Sequence, residues 1–502
     1  MRRLARDIAL MALATGISRL FGLGREVVIA DRFGATGAYD AFLIAFFIPQ
    51  FLRQLLAEGA LATAFVPVYT RLHPSSEEAD RFASNLFSLL ALLYPIFVAL
   101  GVILAPYYVP FLASGFPPEK LALAITLARI VFPFIALIGF GAMFMGILNS
   151  HHRFFSASFA PVWFNVGMII GAIFVSPRFP ARPIYGLALG VLIGGGGQLL
   201  SQLPSLRAVG FRFRFSLFPI HPAILELLRR LAPAVLILAV AQVNMLVDNK
   251  LASHLGDGSI SALQYAMRLF QLPLGVFAVS IATALLPRLS AAEAEGERDR
   301  FSRYLSDGIA ASAFVLLPAM VGLFIVGPDL IRLLFEHGSF QSADTLRTAR
   351  ALSYYVIGLL PYGLVYVQTR ACYAVGRTVF PLVASILAVA TNVALDLALV
   401  GSLREGGLAL ATAVAGAVNA LALLFFLLPR FEPGRRLLKQ LGMIVLGTGL
   451  LGGVLLGIRS LLTGAAPAIS VSVLTIGGGG LYLLFMRLTG MFSLLGGDEE
   501  AT

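Results

Sequence analysis

Uncharged stretches of twenty residues or more recur along the chain, for example 84–113, 154–177, 308–328 and 461–486. A bilayer core about 30 Å thick is crossed by roughly 20 apolar residues in a helix, and lipid offers no partner for an open backbone. So many runs of that length specify helices packed side by side in a membrane. The 58% hydrophobic and 13% charged content of the 502 residues agrees, far from the usage of soluble domains. The expectation is an all-α polytopic membrane protein with fourteen transmembrane helices, over 8–30, 39–68, 84–112, 121–149, 155–176, 183–207, 223–252, 260–288, 304–326, 345–370, 378–400, 407–429, 440–458 and 465–487.

The first apolar stretch does not read as a cleavable signal, because Arg19 and Arg25 interrupt it and no small-residue cleavage site follows. Cys372 is the single cysteine, which rules out an internal disulfide and a cysteine metal site. The net charge of +11 reads as positive-inside bias rather than nucleic-acid binding. With the N-terminus inside, the inner segments collect twenty Arg and Lys residues and the outer loops roughly half as many. An even helix count returns the C-terminus to the cytoplasmic side.

A repeat organises the chain. Ala62-Thr63-Ala64-Phe65-Val66-Pro67 returns as Ala282-Thr283-Ala284-Leu285-Leu286-Pro287, an offset of 220, and each copy follows an interior proline, Pro49 or Pro273. Pro161 and Pro381 share that offset, and Arg153 and Arg377 come close to it. A unit holding six helices enters twice with the same orientation, a parallel repeat. The expected domains are an N-lobe over 1–220, a C-lobe over 221–430, and a terminal helix pair with a tail over 431–502. Such lobes characteristically enclose a midplane substrate site and rock around it. The glycine runs 194–197 and 477–480 lack the lysine and strand of a phosphate loop and read as close helix packing or local bending.

Charges inside the spans carry the functional signal. An arginine at a helix centre costs about 2.5–3.5 kcal/mol on insertion scales, so it normally faces a partner or a wet cavity. Arg19 and Glu26 are seven residues apart on nearly one face of the first span, with Arg25 about a third of a turn away. The second span adds Asp40, Arg53 and Glu58, and its repeat counterpart adds Arg268. Singly, each can be a structural ion pair or a snorkelling side chain. Together, four arginines against three acids give an excess of positive charge suited to an anionic substrate, and guanidinium forks suit phosphate or pyrophosphate.

A second polar group has the opposite character. Asn392 and Asp396 form an i, i+4 pair in VASILAVATNVALDLALV, with Asp248 near the end of 223–252 and Thr412 in 407–429. Oxygen ligands without a compensating arginine suit a hard monovalent cation or a proton site; an interhelical hydrogen-bond cluster is the alternative. Lys250 is a loop-edge charge, His151-His152 are solvated loop residues rather than metal ligands, and FRFRF at 211–215 is an interfacial segment facing anionic headgroups.

The segment SRLFGLGREVVIADRFGATGAYDAFLIAFFIPQFLRQLLAEGALATAFVP at 18–67, with YAMRLFQLPLGVFAVSIATALLP at 265–287, resembles the signatures of the MurJ/MviN family of lipid II flippases, within the MOP exporter superfamily. The resemblance implies two six-helix lobes plus a terminal pair whose groove takes a lipid tail. It assigns Arg19, Arg25, Arg53 and Arg268 to the pyrophosphate-sugar headgroup, and Asp40 and Glu58 to gating or positioning. Glu26 stands where aspartate is usual, Gln54 where some members have arginine, and Gln271 where some have glutamate. Asp248, Asn392, Asp396 and Thr412, with the carbonyl of Leu408, match a sodium site described for some members. The implied function is transport without chemical transformation, with no cofactor beyond a coupling Na+. An undecaprenyl-pyrophosphate disaccharide-pentapeptide, lipid II, would move from the inner to the outer leaflet of the bacterial cytoplasmic membrane for peptidoglycan synthesis and cell shape. The expected partners are lipid II, membrane lipids and cell-wall synthases, with no nucleic acid and a monomeric state. The rivals are an exporter of another polyprenyl-linked glycan or a drug, and a membrane glycosyltransferase.

Overall fold

Every uncharged run that the sequence marks as a span is helical in the computed structural model, which describes residues 2–57, 60–73, 76–462 and 464–490. The secondary structure among these residues is entirely helical. The chain divides into two compact units, Met1–Gly258 with Gly338–Phe340, and Ser259–His337 with Gln341–Thr502.

The first unit contains α1 (Arg2–Phe33), α2 (Gly37–Ala57), α3 (Ala60–Arg71), α4 (Glu77–Leu112), α5 (Pro118–Val131), α6 (Phe134–Ser150), α7 (Phe154–Phe159), α8 (Pro161–Ile170), α9 (Ile184–Leu200), α10 (Leu203–Ala208) and α11 (Pro222–Ala252). The second contains α12 (Ser259–Pro273), α13 (Val279–Ala294), α14 (Arg298–Phe335), α15 (Ser342–Tyr355), α16 (Leu359–Ala374), α17 (Val379–Leu403), α18 (Glu405–Leu427), α19 (Arg435–Leu461), α20 (Pro467–Ser472) and α21 (Gly478–Leu488). Several expected spans are two helices joined without a loop, as proline and π-turn breaks dictate. Pro133 separates α5 from α6, and a π-turn at Leu274–Ala278 follows Pro273 between α12 and α13.

Eleven described segments are long and apolar enough to cross a membrane, so the expected count of fourteen is not reached on that measure. The other three expected spans coincide with α1, with α2 and α3, and with α11. These are the segments into which the sequence places Arg19, Arg25, Glu26, Asp40, Arg53 and Asp248.

The repeat and the packing divide the chain at different places. Helix α11 follows the repeat boundary near 220, yet it packs on α3, α4 and α2 within the first unit. Arg71 holds it there, forking both Nη atoms onto the Glu226 carboxylate. The helices after 431 pack inside the second unit, where Ile444, Leu451 and Leu455 of α19 join Tyr482 and Met486 of α21 and Ala313 of α14 in one apolar cluster.

The glycine run at 194–197 serves close packing, as expected. A Cβ on Gly167 of α8 would lie 2.2 Å from the backbone of Gly194, and one on Gly171 would lie 2.6 Å from Gly190. With Gly186, Gly190 and Gly194 spaced four apart on α9, the two backbones touch along a small-residue seam. The seam fixes the position of α8. In the other run, Gly478 packs on Leu455 and Leu451 just after a π-turn at Val473–Gly477, so bending and packing are combined.

Candidate functional site

The α8 segment PVWFNVGMII carries Phe164 and Asn165, one turn from Gly167, and thus presents them from the best-fixed part of the first unit. Asn165 spans two elements. Its Oδ1 accepts from Arg25 Nη1 at 3.0 Å, and its Nδ2 donates to the carbonyl of Ser18 at 3.2 Å. Gly22 lies beside this amide, where an added Cβ would make an ordinary contact 3.8 Å from Asn165 Nδ2. The second terminal nitrogen of Arg25 pairs with Glu26, and Nη1 also lies 3.9 Å from Met168 Sδ. Arg25 Nε is buried with no hydrogen-bond partner among the described residues.

Phe164 meets a second arginine. The guanidinium carbon of Arg53 lies 5.3 Å from its ring centroid and that of Arg25 5.8 Å, while Arg53 Nε donates to Gln50 Oε1 at 3.1 Å. The ring is itself held by Phe46 at 6.1 Å and Phe134 at 5.4 Å. A cation–π contact is worth about 0.5–1 kcal/mol when exposed and about 2 when desolvated. Two guanidinium groups thus share one fixed ring.

The other expected headgroup residues are placed differently. Arg19 is exposed on α1. Asp40 is fully buried and accepts from Lys120 Nζ at 2.9 Å and from the backbone N–H of Gly258 at 2.7 Å; Lys120 also reaches Asp257 at 2.8 Å. Asp40 therefore ties the start of α2 to the turn after α11. Glu58 lies outside the described residues. Arg268 is half-buried on α12 in the second unit, and Gln271 is exposed. Gln54 accepts from Gln242 Nε2 of α11 at 3.1 Å, so the departure from arginine there is occupied in packing α11.

The second polar group is split between the units. Asn392 Nδ2 donates to Asp396 Oδ2 at 3.0 Å, and Thr412 Oγ1 donates to the Leu408 carbonyl at 3.1 Å. All four residues are buried, on the tightly packed pair α17 and α18. Asn392 Oδ1 is a buried acceptor without a hydrogen-bond partner among the described residues. Such an orphan oxygen, on an amide bonded to a carboxylate, is the donor chemistry that a hard cation takes. Asp248 belongs to α11 in the first unit, half-buried. Its own i, i+4 neighbour Asn244 has a buried Oδ1 with no partner either, repeating the Asn–Asp spacing of α17. No group of three or more His, Cys, Asp or Glu residues suited to a metal occurs among the described residues.

Sequence reasoning missed Phe164, Asn165, Lys120 and Asn244. An asparagine in an otherwise apolar run was the available signal for Asn165 and Asn244; a phenylalanine among 39 gives none. Of the two histidines read as solvated loop residues, His152 is exposed, whereas His151 is half-buried with Nε2 3.3 Å from the hydroxyl of the buried Tyr69. Lys250 lies over the Phe111 ring at 4.7 Å.

The family model described as lipid II flippase MurJ matches residues 29–475. The chain is 34% identical over 477 residues to the probable lipid II flippase MurJ of Thermotoga maritima, covering 95% of each. It is 33% identical over 417 residues to the lipid II flippase MurJ of Burkholderia cenocepacia, covering 82% of this chain and 81% of that one. A solved lipid II flippase MurJ in an inward closed conformation matches at a TM-score of 0.84 and 31% identity, over 97% of this chain and 100% of that chain. An inward-facing MATE multidrug transporter of the MOP superfamily shares the fold at a TM-score of 0.69 and 18% identity, over 82% of this chain and 93% of that chain. This multi-pass membrane protein belongs to the MurJ family of lipid II flippases.

Proposed function

We propose that the chain carries lipid II, the undecaprenyl-pyrophosphate-linked disaccharide pentapeptide, from the inner to the outer leaflet of the bacterial cytoplasmic membrane, with both termini cytoplasmic. The observation that carries this reading is the pair of guanidinium groups, Arg25 and Arg53, held on one aromatic ring in a member of this family. Pyrophosphate offers each fork two oxygens, a geometry that lysine or a single arginine does not match. Glu26 occupies one fork of Arg25 and would be displaced by, or share it with, the arriving phosphate. Arg19 and Arg268 contribute further positive charge to the headgroup, and Asp40 and Glu58 act as positioning or gating acids. Nothing is chemically transformed. A ligand drives the switch between inward and outward exposure only by binding the two states differently.

For coupling, Asn392, Asp396, Thr412, the Leu408 carbonyl and Asp248 would hold Na+, which supplies charge movement rather than chemistry. Each charge crossing the membrane is worth about 2.3 kcal/mol per 100 mV, enough to bias a return step. The transporter acts as a monomer, delivering lipid II to cell-wall synthases. The arginine pair opposes a cationic-drug substrate.

Complementation in a strain depleted of its own flippase tests the proposal. Wild type should restore growth, and Arg25→Ala and Arg268→Ala should not. Normal growth from both variants at matched membrane levels would sink the arginine reading.

A further inference from the structure

At the basic end of the second unit, the first turns of α14 and α19 diverge around a cavity of about 330 Å³. The loop at 429–434 closes one side. Ser302 pins that loop twice, donating from Oγ to the Glu432 carbonyl at 2.9 Å and accepting from the Glu432 N–H at 3.0 Å. The cavity is therefore built rather than a gap between mobile chains.

Its lining is rich in guanidinium. Arg298, Arg303, Arg430 and Arg436 surround it, with the buried Gln440 among the lining residues. The side chains of Arg298 and Arg303 make no ion pair or hydrogen bond among the described residues, and that of Arg430 uses only Nε, toward Glu293 at 3.1 Å. Helix α19 is 27 residues long and begins at Gly434 without a side-chain cap, so its N-terminal N–H groups add positive potential beside Arg436. Against these stand Asp299, Asp307 and Glu432, leaving the lining a net +1 if all are ionised. One phosphodiester charge balances that excess.

The same helix provides a place for acyl chains. Next to Leu437 of the lining, α19 opens an exposed apolar stripe, Leu438, Val445 and Leu446, at heptad spacing. A cavity at the lower end of the roughly 300–1,000 Å³ ligand range holds a simple headgroup but not a disaccharide pentapeptide. It is therefore a different site from that of the transported lipid, and it does not depend on the transport reading.

We infer that this cavity binds the phosphate ester of a resident membrane phospholipid, with the phosphate on Arg298 and Arg303 and the acyl chains along Leu438, Val445 and Leu446. The test is native mass spectrometry, with thermal unfolding in parallel, on delipidated full-length protein titrated with phosphatidylglycerol, diacylglycerol or inorganic phosphate. Phosphatidylglycerol should form a saturable single adduct and raise the unfolding temperature, and diacylglycerol should do neither. Arg298→Ala with Arg303→Ala should weaken that adduct about tenfold or more, the scale of losing one charge-assisted hydrogen bond. Arg229→Ala, at an exposed arginine of α11, should leave it unchanged. Should the double alanine variant fail to fold, the double lysine variant carries the test, and an intermediate loss is expected because lysine keeps the charge but not the fork. Adducts within about twofold of wild type in the variant that folds would overturn the site. An equal loss in Arg229→Ala, or an equal adduct with diacylglycerol, would do the same. Full stabilisation by inorganic phosphate without a lipid adduct would overturn the lipid as its source.

Discussion

The α1–α2–α8 cluster and the α17–α18 pair both bury polar groups in apolar helices, and they do so with opposite chemistry. In the first, Arg25 is shared among Glu26, Asn165 and the Phe164 ring, and Arg53 joins it on that ring. In the second, Asn392 donates to Asp396 on α17 and, separately, Thr412 donates to the Leu408 carbonyl on α18, with the Asn392 amide oxygen left over. In the first site an aromatic face, a neutral amide and one carboxylate hold the guanidinium groups in place. In the second site a carboxylate and an amide face each other one turn apart, the chemistry from which the proposed sodium site is argued. Charge sign, more than burial, separates the two sites.

The largest effect that breaks the comparison is on the arginine side. Arg25→Ala leaves Glu26, which is 4% exposed, without its guanidinium, and breaking a buried pair costs about 3–5 kcal/mol. Thermal unfolding should show that loss, and Glu26→Gln in the same chain should recover most of it while growth stays lost. If the double variant also regains growth, Arg25 is a structural ion-pair partner and not a headgroup ligand. On the α17–α18 side, Asp396→Ala removes a charged hydrogen-bond acceptor worth about 1.5–3 kcal/mol. Wild type should melt higher in NaCl than in KCl at equal ionic strength, and the variant should lose that difference. Indifference of the wild type to the cation would remove the basis for a sodium site.

How far the sequence discloses each cluster follows from the range of the interactions. Spans are local properties of hydropathy, and the eleven apolar segments fall where the uncharged runs predict. The run 194–197 was legible as close packing or bending, but the four-residue spacing back to Gly190 and Gly186 and the partner glycines Gly167 and Gly171 emerge only from the fold. Asn392 with Asp396 was legible as an i, i+4 pair. Asp40 was not: its partner Lys120 is eighty residues away in a loop-like PPEK, and only the fold brings the two within 2.9 Å. The repeat starts its second copy at α11, and the fold adds a contact that sequence does not show, Arg71 of α3 with Glu226 of α11, 155 residues apart.

Phe164 sharpens the arginine side more gently. Phe164→Leu keeps the apolar volume against Phe46 and Phe134 but removes the shared π face, a loss of about 0.5–2 kcal/mol for each guanidinium contact. Headgroup affinity, measured with purified lipid II in nanodiscs, should fall severalfold, and Phe164→Tyr should restore it. Equal affinity in the leucine variant would show that the two arginines are positioned by Asn165 and Gln50 alone.

The smallest effect lies outside both clusters, at His151 in the loop after α6. Burial lowers its pKa below 6.5, outweighing the attraction of Asp80, and His152 pushes the same way as burial. The folded state therefore favours the neutral ring that faces the Tyr69 hydroxyl. Its stabilising contribution is present above the unfolded value of 6.5 and is lost as pH falls through that value toward the lower folded one. The unfolding temperature should decline slightly between neutral and mildly acidic pH, and His151→Gln should flatten that part of the profile without changing growth at neutral pH. An unchanged slope in His151→Gln would move the acid sensitivity to His221 or to the carboxylates. An additional loss of growth would tie this loop to transport, erasing the separation between the titrating periphery and the two non-histidine sites.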